Sequence, residues 1–308
     1  IRRQRQMCIR DRKKRTVLNM TLMCGALACF SLQGCQNTET AKTAKVSSIQ
    51  ADTLVSLKAG DEASPKCKVS IDYMYLEAGD EKDSISAIIN SKIQSIAFGD
   101  KYSNMEPKEA IPAVVGKYTQ DYRDKLTKFY EADVHNGVKP EDIPAWYNYE
   151  YEITSELSLN NDSIWNFSVS TFKDTGGAHP NTTIKWANLL AKSGKVLTKE
   201  VVFRKDKEKE IIGLILKHLI DEVNQRLETD TITSLEGLKQ NGALLDVELY
   251  IPDNFLLLED RVSFLYNRYD IAPYSMGEFI IDVPYAEIET MLNRKSVSYT
   301  HLRAHETG

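Results

Sequence analysis

The stretch Thr171 to Trp186, TFKDTGGAHPNTTIKW, brings together residue types that could do chemistry. His179 follows Gly176-Gly177-Ala178, and Asp174 stands five residues before it. A histidine with a carboxylate in reach is the pattern of a general base and its orienter. The same pair could supply part of a metal site, which needs about three or four convergent ligands. Neither pattern is completed locally: no HxxxH, HxxE or CxxC accompanies His179, and no GxSxG elbow is present. The two glycines lie between alternating runs, where a hairpin turn needs φ > 0. Pro180 biases His179 toward extended backbone, so the strand resumes there. The reading is a tight turn whose histidine serves the fold or a binding edge. Catalysis by His179, with Asp174 as orienter, is the alternative. A second motif, Tyr269-Asp270-Ile271-Ala272-Pro273-Tyr274 with Gly277, reads as a bend shaped by Pro273 and Gly277. Its tyrosines are expected to pack, with exposed members lining a groove. No catalytic residue, metal or cofactor is assigned.

The ends narrow the choice. Residues 1–12 and 296–308 show neither helical nor strand period and read as adapter-derived flanks. His301 and His305 fall in the second flank, which leaves His135, His179 and His218 as credible ligands or bases. Residues 13–34 read as a secretory signal peptide. Lys13, Lys14 and Arg15 form its basic start, and Val17 to Leu32 is too short and interrupted for a membrane span. It ends in Leu32-Gln33-Gly34-Cys35, which resembles a bacterial lipobox with Gln33 off pattern; Cys29 is the rival. Lipidation is therefore expected at Cys35. Of the five cysteines, Cys8, Cys24 and Cys29 leave with the flank and signal, and Cys67 is then alone, without an intrachain disulfide. A chain held without disulfides relies on its core, and residues 35–295 are long enough to build one. Trimmed of residues 1–34 and 296–308, the chain keeps 30 basic and 42 acidic side chains, net −12. That balance argues against nucleic acid, whose affinity depends on neutralising phosphates. It permits a basic partner.

Within the mature chain, residues 35–65 are rich in Thr, Ser, Ala, Lys and Glu and read as a flexible tether. The first strand is expected at Cys67-Lys68-Val69-Ser70-Ile71-Asp72-Tyr73, by alternation. A helix follows on Ile85, Ile88, Ile89, Ile93 and Ile96, capped by Asp83 or Ser84 and ended by Gly99. A longer helix runs from Pro107 to Tyr130, with Val115, Tyr118, Tyr122, Leu126 and Phe129 on one stripe. Three alternating runs then predict an antiparallel meander with one buried face, turning at Asn160-Asn161-Asp162 and again at the glycine pair. In the second half, Asp206 to Leu227 is the strongest helix, with Ile212, Ile215, Leu216, Leu219 and Val223 as its stripe and His218 beside it. A hairpin turning at Glu259-Asp260, a strand at EFIIDVPY and a helix over Ala286–Leu292 close the chain. The fold class is α+β: an antiparallel meander with packed amphipathic helices, in two halves, 66–192 and 193–295.

Two long stretches carry a family resemblance. YNYEYEITSELSLNNDSIWNFSVSTFKDTGGAHP resembles the domain that precedes the catalytic module of PdaC-type peptidoglycan deacetylases. RVSFLYNRYDIAPYSMGEFIIDVPYAEIETML resembles the C-terminal domain of the RsiV anti-sigma factor, a lysozyme receptor. The resemblance spans Cys67 to Leu292 and is most specific at Tyr269–Tyr274 with Gly277, then at Gly176–His179. There is no deacetylase module and no second hydrophobic span with a sigma-binding segment, so neither activity carries over. The resemblance implies a lipid-anchored envelope protein, at the outer membrane or periplasmic face, with a binding or sensing role. Its ligand would be cell-wall glycan or a basic, lysozyme-like protein. A cell-wall hydrolase or deacetylase-like enzyme is the alternative.

Overall fold

A computed structural model describes residues 44–77, 84–160 and 162–293. The signal segment, Cys35, residues 35–43 of the tether, Asp83, Asn161 and both flanking segments lie outside the described residues. Residues 44–293 belong to one contact unit and build two sheets. The first has five strands in order β1 (Val46–Ser56), β2 (Lys66–Leu76), β3 (Tyr149–Asn160), β4 (Ile164–Asp174) and β5 (Asn181–Leu190). The second has three, β6 (Phe255–Leu257), β7 (Arg261–Tyr266) and β8 (Phe279–Pro284). The fold is thus mixed α+β.

The first strand departs from the sequence reading. β1 lies inside the stretch expected to be a flexible tether, 35–65, and pairs antiparallel with β2 along its whole length. Its inward positions, Ile49, Ala51, Thr53 and Val55, are partly buried against the same core as β2. Ala51 and Thr53, between Ile49 and Val55, are small or weakly apolar, so the period is faint without the partner strand beside them. A second departure is the pairing of β2 with β3, which is parallel, with Cys67 opposite Tyr149. The chain between them forms α1 (Ser84–Phe98) and α2 (Pro107–His135), the kind of long crossover that parallel neighbours need. From β3 to β5 the strands run antiparallel, as the alternation predicts.

The helices bury the expected faces with local shifts. In α1, Ile89 and Ile93 are buried while Ile88 is exposed, and Gly99, at φ 98°, ends the helix. In α2, Tyr122 and Leu126 are buried, but Phe129 is 62% exposed and Tyr130 takes its place in the core. The buried line keeps i+4 steps through Tyr122, Leu126 and Tyr130, where the expected stripe stepped i+3 to Phe129. The second half adds α3 (Lys199–Val202), α4 (Glu208–Arg226), α5 (Leu235–Gln240) and α6 (Tyr285–Ile288). In α4 the expected Ile215, Leu219 and Val223 are buried; Ile211 joins them, while Ile212 and Leu216 are partly buried at the margin of the same core. The closing helix is shorter than expected: α6 gives way to a 3-10 turn over Glu289–Met291. Two hydrophobic cores result, one between the helices α1 and α2 and the five-stranded sheet, the other around α4 and the three-stranded sheet. The chain passes from the first to the second between Leu189 and Leu197.

The two sheets meet through asparagine side chains. Asn188 of β5 donates from Nδ2 to Phe255 O (2.9 Å) and accepts from Leu257 N–H (2.8 Å). It thus pairs with β6 as a ladder residue would. Asn160 and Asn166 also donate to Leu257 O, at 2.8 and 3.2 Å. From the other side, Asn267 exchanges two bonds with the backbone of Ile184, accepting its N–H (2.7 Å) and donating to its carbonyl (3.0 Å). Asn254 takes Trp186 N–H (3.0 Å) and donates to Ile184 O (3.0 Å). The outer edge of β5 is closed by this seam.

Candidate functional site

The seam delivers the two singled-out motifs to one place. The turn after β4 is set by Gly176, at φ 71°, whereas Gly177 has no positive φ. A Cβ on Gly176 would lie 2.3 Å from the carbonyl oxygen of Trp146, so the backbone approach itself excludes a side chain. Asp174 does not orient His179. Its Oδ1 accepts Gly176 N–H (3.2 Å), an Asx-type turn closing the loop. The proposed Asp174–His179 couple is therefore absent from this structure. The exposed His179 ring stacks instead on Tyr274, with centroids 4.6 Å apart and planes at 15°. Tyr274 donates its hydroxyl to Pro180 O (2.9 Å), which pins the bend at Pro273 to the hairpin.

Around Tyr274 the second motif folds tightly. Asn267 N–H donates to Asp270 Oδ2 (2.8 Å) and Asp270 N–H to Asn267 O (3.1 Å), so Asp270 closes a turn. Tyr269 sits third in that turn at φ 70°, where glycine or asparagine is the ordinary occupant. It was expected to pack, yet it is 56% exposed, because the left-handed backbone turns its ring outward. Its ring centroid is 5.8 Å from that of Tyr274. The Arg268 guanidinium lies 5.0 Å from the Tyr274 centroid and pairs with Glu278 at 3.5 Å. Gly277, at φ 77°, completes the bend, with Arg226 donating to Met276 O (2.7 Å) and Glu278 O (3.0 Å). Trp146, 41% exposed and stacked on Tyr147, borders the glycine end of the hairpin loop.

The result is a polar-edged aromatic surface: His179, Tyr274 and Tyr269, with Arg268 beside them. Sequence reasoning picked out the rings but passed over Asn254, Asn267 and Arg268, which hold them. A polar run, Tyr266-Asn267-Arg268-Tyr269, directly after an apolar strand was the available signal.

The other titratable candidates stand apart from this surface. His218 of α4 faces Glu287 (3.3 Å), not the nearby Asp221 or Glu222. A hydrogen bond from Lys217 (2.8 Å) keeps Glu287 below the usual carboxylate range. Cys67 is free and fully buried beneath the five-stranded sheet, and burial pushes its thiol up to about 12. His135 ends α2. No group of three or more His, Cys, Asp or Glu side chains among the described residues is placed to hold a metal ion. No helix among the described residues is long and apolar enough to cross a membrane. A shallow depression of about 240 Å³ on the outer face of the first sheet is lined by Gln50, Asp52, Asp72, Glu152 and Thr154.

Residues 201–286, the half built on the three-stranded sheet, match the model of a protein family of unknown function, DUF3298. No curated protein matches the chain. Among solved structures, a crystal structure of a DUF3298 family member from Bacteroides fragilis NCTC 9343 superposes with a TM-score of 0.73 at 26% identity. The alignment covers 83% of this chain and 96% of that one, and so reaches well beyond the matched residues. A DUF3298 family protein from Pseudomonas aeruginosa PAO1 shares the fold, with a TM-score of 0.53 at 13% identity over 82% of this chain and 96% of that one.

Proposed function

We propose that this chain is an envelope lipoprotein, anchored through Cys35, that binds cell-wall glycan without turning it over. The carrying observation is Tyr269: a bulky residue held exposed at φ 70°, beside the stacked His179–Tyr274 pair. A non-glycine residue in this region costs on the order of 1 kcal/mol or more. Such strain, kept at an exposed ring, supports a role for Tyr269 at the surface rather than in the core. Flat rings edged by Arg268 and Asp270 suit a sugar, whose apolar ring faces stack while its hydroxyls hydrogen-bond at the margin. The lipobox-like Leu32 to Cys35 and the PdaC-type and RsiV-like stretches support the envelope placement.

A basic, lysozyme-like protein is the second reading. The net charge of −12 over residues 35–295 and the carboxylates Asp52, Asp72 and Glu152 on the outer face of the first sheet favour it.

Titration of the full chain with soluble peptidoglycan fragments, read by calorimetry, tests the glycan reading. Saturable binding that is lost in Tyr269→Gly and weakened in His179→Ala supports it. No binding by the wild type, alongside salt-sensitive binding of lysozyme, moves the function to the second reading. Hydrolysis or deacetylation of the fragments that vanishes in His179→Ala would make the protein an enzyme. Intact mass of membrane-extracted protein tests the anchor: a mature chain without acyl mass on Cys35 removes that part of the proposal.

A further inference from the structure

The two edges of the five-stranded sheet are treated in opposite ways. At β5 the outward amide and carbonyl of Ile184 and the amide of Trp186 are taken by Asn267 and Asn254. The next positions, Asn188 and Leu190, bond Leu197 N–H (2.8 Å) and Lys195 O (2.9 Å). At β1 nothing comparable exists among the described residues. Glu77 N–H donates to Lys45 O (2.8 Å), so odd-numbered residues of this edge face β2 and even-numbered ones face away. Ser56 O takes the Arg123 guanidinium at 3.2 Å. The outward amides and carbonyls of Val46, Ser48, Gln50, Asp52 and Leu54 have no partner among the described residues. The strand is 11 residues long, without proline or lysine, and Asp52 is its one charge. Long open edges of this kind are templates for another strand, and proteins ordinarily shield them.

We infer that β1 is a self-association edge, on which a second copy of this chain adds its own β1 antiparallel about a two-fold axis at Gln50. The register follows from the side chains. With Gln50 opposite its own copy, Leu54, which is 65% exposed, lies beside the partner's Val46. Asp52 then meets the partner's Ser48, whose hydroxyl can donate to it. The two Asp52 carboxylates stand about 14 Å apart along the strands, beyond a screening length of about 8 Å. A two-fold centred on Asp52 would set the carboxylates face to face and is disfavoured for that reason. Each favourable pair occurs twice, as an isologous contact requires. The acidic depression beside Gln50, with Asp72 and Glu152, continues across the join into one surface carried by two copies. The edge lies on the far side of the sheet from β5, so pairing leaves the His179–Tyr274 surface open in both copies.

Proline at position 50 separates association from folding. Its missing N–H is an outward one that the monomer does not use, and proline is tolerated on such edges. Sedimentation of the detergent-solubilised full chain over a concentration series should show a reversible dimer. Gln50→Pro should sediment as a monomer with a melting temperature close to the wild type's, because the bond it removes, from Gln50 Nε2 to Asp72 Oδ2 (3.1 Å), is exposed. Under mild oxidation, Gln50→Cys should form a reducible covalent dimer and Asp52→Cys should not; the native cysteines are common to both. A wild-type monomer throughout the series overturns the inference. So does a dimer that persists in a folded Gln50→Pro variant, or equal cross-linking at positions 50 and 52. If Gln50→Pro fails to fold, the cysteine pair decides.

Discussion

Asn166 donates from Nδ2 to Asn188 Oδ1 at 2.9 Å, and both side chains are buried where the two sheets meet. Apolar residues fill the space on either side, but the register between the sheets is written in amides. An amide side chain offers a donor and an acceptor with the spacing of a peptide group, so it can bond a strand edge that no strand occupies. Asn188→Ala leaves Leu257 N–H and Phe255 O without that partner. Each buried polar group left unpaired costs about 1–3 kcal/mol. The expected outcome is a loss of about 3 kcal/mol, seen as a lowered urea midpoint. Asn181→Ala, at an exposed position of the same strand, should move the midpoint little.

Alanine at the two adjacent glycines should behave differently. Gly176→Ala combines positive φ with a Cβ 2.3 Å from Trp146 O, and the opposing atom is backbone. A destabilisation of about 2 kcal/mol or more follows from strain and clash together. Gly177 has open space and no positive φ, so Gly177→Ala should be neutral or mildly stabilising. Denaturant midpoints of the two variants check this; equal losses would mean the loop is held otherwise than described.

Tyr269→Gly should separate stability from binding. Glycine relieves the left-handed strain and loosens the unfolded chain, two effects of opposite sign and about 1 kcal/mol each. The melting temperature should therefore stay near that of the wild type while glycan affinity is lost. A variant that unfolds instead would show that the ring serves the fold.

Cys67 sets an alkaline limit. Its thiol, pushed up to about 12 mainly by burial, holds its proton more tightly in the folded chain than in the unfolded one. Such a group contributes stability that is whole below the unfolded pKa, about 8.5, and is lost as pH rises toward the folded value. Urea midpoints of the wild type should therefore fall more steeply from about pH 8.5 upward than those of Cys67→Ala. Thiol alkylation at pH 8 should leave Cys67 unmodified until the chain unfolds. Parallel slopes for the two proteins would contradict the assignment.

What could be read from the sequence depended on how local the signal was. The strand β3 announces itself because Tyr149, Tyr151, Ile153 and Leu157 keep one parity while Glu150, Glu152 and Glu156 keep the other. The strand β1 does not, because Ala51 and Thr53 contribute little apolar contrast and their burial comes from β2 and α2. Both motifs of the candidate site were visible as punctuation by Gly and Pro. Their meeting was not, since Tyr274 and Pro180 are 94 residues apart and joined by one hydroxyl. Asp174 and His179 misled for the opposite reason. They are close in sequence, and the nearer amide of Gly176 captured the carboxylate first.

The parallel junction of β2 with β3 also bears on how the chain reaches this structure. Lys68 and Glu150, an ion pair at 2.8 Å across that junction, are separated by 82 residues. The hairpin of β1 and β2 and the meander of β3, β4 and β5 each close through short turns and can form early. Joining them closes a far longer loop, and that closure entropy is paid before the contacts it allows are gained. Contact order therefore leads us to expect this one ladder to be the slowest pairing of the sheet to form. Until it forms, β2 and β3 are two further open edges, and it is during that interval that the chain is most exposed to pairing with the wrong strand.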